Sequence, residues 1–104
     1  MSDKNDSFKD FILDQLSGLH KVIARKMFGG YGLYQAQTFF GIIFKGRLYF
    51  KTNDQTRASY AERGMKPFQP NAKQTLKNYY EVPAEILEDL DQLRDWAETA
   101  VRIG

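Results

Sequence analysis

One stretch constrains this chain more than any other: Arg25 to Lys51, RKMFGGYGLYQAQTFFGIIFKGRLYFK. Glycines, aromatics and cations are packed there into what reads as two or three adjoining β-strands. The segments before and after it read as helices and edge strands that cover a sheet. The outcome expected from the residues is a small α+β domain with a basic, aromatic surface.

Within the stretch, Phe39 to Phe44 and Arg47 to Thr52 form the clearest hairpin. A two-residue Lys45-Gly46 loop would pair Phe44 with Arg47, setting Phe40, Ile42 and Phe44 beside Arg47, Tyr49 and Lys51. A three-residue loop with Gly46 left-handed pairs Ile43 with Arg47 and gathers Phe40, Ile42, Leu48 and Phe50 on one face. A one-residue slip turns every side chain over, so burial selects the register. The second arrangement is the expected one. Its opposite face carries Phe39, Ile43, Arg47, Tyr49 and Lys51, which is too apolar for plain solvent exposure and is the candidate interaction surface. Upstream, a first strand is expected over Lys26 to Gln35, interrupted at Gly29-Gly30-Tyr31-Gly32. Glycines inside a strand mark a bulge or a close backbone approach, so Gly29, Gly30 and Gly32 are read as a structural bend. A phosphate-cradling loop would need a helix N-terminus immediately afterwards. Leu33-Tyr34 and a turn at 35–37 follow instead.

On the N-terminal side, Phe8, Phe11, Ile12, Leu16 and Leu19 recur at helical spacing behind a cap formed by Ser7 and Asp10. A helix is expected over Ser7 to Ser17, with Phe8 and Phe11 anchored in the core and residues 1–6 as a disordered tail. Downstream, Thr52 or Asn53 caps a second helix that Gly64 and Pro67 end. Phe68 and Thr75 to Val82 read as a second strand pair. After a short turn from Ala84 to Leu87, Asp89 caps a C-terminal helix with the apolar stripe Leu90, Leu93, Trp96, Ala97, Ala100 and Val101.

The 104 residues make one domain, 1–104. The net charge of +2 hides an asymmetry: residues 1–19 sum to −2, residues 20–80 to +9 and residues 81–104 to −5. The basic middle interleaves its cations with twelve of the fifteen aromatics. Such a surface can stack bases and hold phosphates, so direct DNA or RNA binding is one reading. Against it stand the modest total charge and the lack of any nucleic-acid module signature, which favour a protein contact. The chain contains no cysteine, which excludes disulfides, thiolate zinc sites and a thiol nucleophile and fits a reducing cytoplasm. The longest apolar run, Phe39 to Phe44, is too short to span a bilayer. A cytoplasmic protein away from membranes is expected. His20 is the only histidine and has neither a ligand-spaced partner nor a recognisable acid beside it. No catalytic, metal or cofactor residue is nominated, and a non-enzymatic function is expected.

The assembled residues resemble a known family. Met27-Phe28-Gly29-Gly30-Tyr31-Gly32-Leu33-Tyr34, Gly46-Arg47-Leu48-Tyr49-Phe50-Lys51, Asp54 with Thr56 and Arg57, Gly64-Met65-Lys66-Pro67-Phe68, and Tyr79-Tyr80-Glu81-Val82-Pro83 with Trp96 are similar to the TfoX (Sxy) N-terminal domain. The resemblance covers about Phe8 to Val101. It implies the order α-β-β-β-α-β-β-α, with a five-stranded antiparallel sheet and helices on one face, like the secretion-chaperone type of fold. It also implies a bacterial cytoplasmic regulator of competence genes that acts with the cyclic-AMP receptor protein. On this resemblance the chain is expected to be a single-domain relative lacking the second domain of the full-length regulators, either sharing their role or standing alone with an unrelated function. A homodimer is expected, because the aromatic-cationic sheet face would be half-covered in a monomer.

Overall fold

The computed structural model of the chain describes residues 4–27 and 29–103. Among them run a helix α1 (Lys4–Gln15), strands β1 (Val22–Met27), β2 (Gly30–Gln35), β3 (Thr38–Phe44) and β4 (Arg47–Lys51), and helix α2 (Asp54–Glu62). Strands β5 (Pro67–Asn71) and β6 (Gln74–Glu81) and helices α3 (Ala84–Leu87) and α4 (Leu90–Ile103) complete them. The six strands form one antiparallel sheet in the order β1-β2-β3-β4-β6-β5. The α+β class and the antiparallel sheet are as expected, but the sheet has six strands rather than five.

The extra strand comes from the glycine-rich segment. The region read as one bulged strand is a hairpin in which Met27 pairs with Gly30. Gly29 has φ +80°, a conformation that glycine adopts without steric cost. Gly30 lies against the next strand. A Cβ on it would fall 2.1 Å from the Ile43 carbonyl oxygen, so no side chain fits. The irregularity between β2 and β3 sits elsewhere, between Leu33 and Tyr34, where Leu33 faces Gly41 and Tyr34 faces Phe39. Phe40 is thus the extra residue of a bulge in β3.

The hairpin register also differs from expectation. Phe44 pairs with Arg47 and Ile43 with Leu48, across a two-residue loop in which Lys45 (φ +52°) and Gly46 (φ +72°) are both left-handed. That is the type I′ geometry whose twist matches a right-twisted ribbon. Ile43 rather than Ile42 therefore faces the helices.

The helices cover one face of the sheet. Ile12 of α1 and Leu16 just after it, Tyr60 of α2, Ile86 of α3, and Leu93, Ala97 and Ala100 of α4 pack on Leu33, Phe40, Ile43, Leu48, Phe50 and Val82. Helix α1 starts at Lys4, inside the expected tail; residues 1–3 lie outside the described residues. Asp6 in its first turn accepts a hydrogen bond from the Tyr31 hydroxyl, which ties the helix to β2. Phe11 is not a core anchor: it is 42% exposed, and Ile12 and Leu16 take that role. Helix α2 begins in a capping box between Asn53 and Thr56. It ends in a Schellman motif, with Gly64 N–H donating to Ala61 and Met65 N–H to Tyr60. Asp89 accepts from the backbone and the side chain of Gln92 and so caps α4.

The other face has a smaller core of its own, made of Ile42, Tyr49 and Phe68 with Phe39, Phe44, Leu76 and Tyr79 against it. Phe68 is on edge strand β5, yet its ring lies 5.4 Å from that of Phe44 on β3. The β5–β6 hairpin therefore bends back across the sheet, and the shifts in its register at Phe68 permit that bend.

Candidate interaction surface

The folded-back hairpin divides the second face into a sealed half and an open half. On the sealed half, Tyr49 is 8% exposed beneath Phe68. Burial pushes its hydroxyl pKa up; nearby Glu81 adds to the shift and Arg47 opposes it. On the open half, strand alternation brings Ile23 and Arg25 of β1, Tyr34 of β2 and Phe39 of β3 to the same side. The Arg25 guanidinium carbon stands 5.3 Å from the Tyr34 ring centre. Tyr34 lies 5.2 Å from Phe39, and Phe39 lies 5.5 Å from Tyr79 of β6. Gly32 is the floor of this row. A Cβ there would meet Met27 and Phe39 side-chain atoms at 3.0 Å, so the missing side chain is what lets those two close over it. Tyr79 has its hydroxyl pKa raised by burial, with Tyr34 adding to the effect.

The expected surface of Phe39, Ile43, Arg47, Tyr49 and Lys51 is broken up. Ile43 is fully buried on the helix side, a direct consequence of the two-residue loop. Tyr49 is sealed under Phe68. Arg47 is exposed on the expected face and donates to both carboxylate oxygens of Glu81, at 2.9 and 3.1 Å. Lys51 is half-buried opposite Tyr79 at the end of β4. Of the five, Phe39 joins the open row. Ile23, Arg25, Tyr34 and Tyr79 were missed; for Ile23 and Arg25 the signal for their strand lay in Val22 to Met27, six residues without glycine or proline.

The basic middle is only partly neutralised: Lys45, Lys66, Lys73 and Lys77 are exposed and in no ion pair among the described residues, as are cations at and beside β1. In the basic middle, Arg47 is paired with Glu81, Arg57 with Asp54 and Arg63 with Glu85. The acidic helix α4 pairs Asp91 and Glu98 with its own Arg94 and Arg102. Lys21, Arg25 and Lys26 are exposed, and no ion pair reaches them among the described residues.

A cleft of about 180 Å³ lies between β4, α2 and α4, lined by Lys51, Thr56, Tyr60, Trp96 and Thr99 among others. Ligand pockets usually run to roughly 300–1,000 Å³. Among the described residues no cluster of three or more His, Cys, Asp or Glu could hold a metal ion. Among the described residues no helix is long and apolar enough to cross a membrane.

Compared with known families, residues 14–103 match the TfoX N-terminal domain. No curated protein matches the chain.

Proposed function

The chain belongs to the TfoX N-terminal domain family, and from that premise we propose that it is a docking module without catalysis of its own, acting on transcription through protein contacts in the bacterial cytoplasm. The observation that carries this reading is the unequal covering of the sheet. One face lies under four helices and half of the other under Phe68, while the row Arg25, Tyr34 and Phe39 stays at the surface. Aromatic and arginine side chains held on a rigid sheet are the usual anchors of protein interfaces. The partner is a DNA-bound transcription factor of the cyclic-AMP receptor type. A second copy of the chain is the competitor, and its case is weaker now that Phe68 covers Tyr49 from within.

The test is a titration of the chain onto fluorescent promoter DNA carrying the cyclic-AMP receptor protein, read by anisotropy. A further rise on addition of the chain supports docking, and Tyr34→Ala with Phe39→Ala should remove it. An unchanged anisotropy counts against this partner. Sedimentation over a range of concentrations shows the homodimer if one forms.

Direct nucleic-acid binding is the second reading, favoured by Arg25 standing over Tyr34 on the open half. It requires affinity for duplex or single-stranded DNA in the absence of any partner, falling steeply with salt.

A further inference from the structure

The sheet has two edges, and they are guarded differently. β5 carries Pro67 and Pro70, which cannot donate to an added strand. β1, VIARKM, has no proline. Ala36 N–H donates to Lys21 at 3.2 Å, which makes that pair a hydrogen-bonded one. Antiparallel alternation then points the N–H and C=O groups of Ile23, Arg25 and Met27 at β2, and those of Val22, Ala24 and Lys26 outward. No partner for these outward groups is found among the described residues.

We infer that the β1 edge binds an extended acidic segment of another protein, which adds as a seventh, antiparallel strand to the six already there. The inference rests on the docking reading above and names the chemistry of the partner. Main-chain bonds to Val22, Ala24 and Lys26 supply the attachment, and the side chains on either face supply selectivity. Arg25 and the 42%-exposed Ile23 stand on the open face, and Lys26, opposite Tyr31, on the helix face. An antiparallel strand reading acid-acid-any-apolar places its acids against Lys26 and Arg25 and its apolar residue against Ile23. Charge decides against a second copy. Residues 21–27 hold Lys21, Arg25 and Lys26 and no acid, so self-pairing would gather the cations of both strands in one seam.

The probe is a short acetylated peptide of threonine and valine with a central Glu-Glu-Thr-Val, compared with a Lys-Lys-Thr-Val version. Binding is followed by NMR shifts and amide hydrogen exchange on the intact chain. The expected result is slowed exchange at Val22, Ala24 and Lys26 with the acidic peptide alone. Ala24→Pro removes the central outward donor without touching the ladder to β2, and should abolish the protection. Arg25→Glu with Lys26→Glu leaves the backbone unaltered and should weaken binding by about tenfold or more. The inference is overturned by an absence of binding at millimolar peptide, by equal binding of the lysine peptide, or by binding that ignores Ala24→Pro. Protection of the same amides by concentrated protein alone would give the edge to a second copy and also overturn it. Loss of the peptide effect while the Tyr34 and Phe39 variants still abolish transcription-factor docking would leave the docking reading standing without strand addition.

Discussion

The ring of Phe68 lies 4.8 Å from that of Tyr49, although strand β6 separates their strands in the sheet. An edge strand has folded over to close a second, smaller core. Phe68 is 1% exposed, so Phe68→Ala should cost about 3–5 kcal/mol, the range for a buried phenylalanine. Urea unfolding measures it. The same change admits water to Tyr49, whose hydroxyl pKa is raised mainly by burial, so its titration should move down toward the ordinary tyrosine value. Ultraviolet titration reads that shift. An unmoved Tyr49 would mean that something other than Phe68 keeps it dry.

The glycines of the first hairpin separate clash from backbone strain. A Cβ at Gly30 would fall 2.1 Å from a backbone oxygen, whereas at Gly29 (φ +80°) nothing lies within 4 Å. Gly29→Ala should therefore cost roughly 1–2 kcal/mol, from the left-handed backbone alone. Gly30→Ala forces β2 away from β3 and should cost more, about 3 kcal/mol or above. Equal losses in denaturant titration would contradict the close approach.

The β3–β4 turn shows what was legible in the sequence and what was not. The hairpin itself was readable, as were the cap at Asn53, the stop at Gly64 and the cap at Asp89, because each rests on local backbone chemistry. The register was not. It was argued from burial on the premise of one apolar face, and this sheet buries residues on both, with Ile43 in one core and Ile42 in the other. Alternation cannot choose between registers when both faces are apolar. Nor did pattern reveal the bulge that keeps Phe40 with the helices, or the return of Phe68 over the sheet; both depend on contacts distant in sequence. The turn makes its own prediction. Lys45 has φ +52°, where asparagine is at ease, so Lys45→Asn should stabilise the protein by roughly 0.5–1 kcal/mol in thermal or urea unfolding.

Asp89 gives a pH signature. Hydrogen bonds from the Gln92 side chain and backbone hold its carboxyl pKa below the usual value of 3.8. A group with a depressed folded-state pKa contributes stability above its unfolded pKa and loses it as pH falls through the folded one. Asp89→Ala should therefore lower Tm at neutral pH. The gap to the parent should narrow as pH drops below about 4. A gap that stayed constant down to strong acid would show that the charge of this cap is not what stabilises α4.

Phe39 and Phe40 are adjacent in sequence and lie on opposite faces, and the bulge sets which is which: Phe40 goes to the helices while Phe39 stays with Tyr34 and Tyr79. Their truncations should separate folding from function. Phe40 is fully buried against Phe50, so Phe40→Ala should cost about 3–5 kcal/mol, a large share of the 5–15 kcal/mol that holds a typical domain together. Phe39 is half-buried over Gly32, so Phe39→Ala should cost only about 1–2 kcal/mol and leave a folded protein. That folded variant is the one expected to lose docking, since it removes the middle ring of the open row while β1 and its cations remain. Circular dichroism and urea unfolding give the stability arm, and the anisotropy titration gives the binding arm. If Phe39→Ala docks like the parent, the row is packing under the hairpin's rim and the docking surface must be sought elsewhere on the sheet.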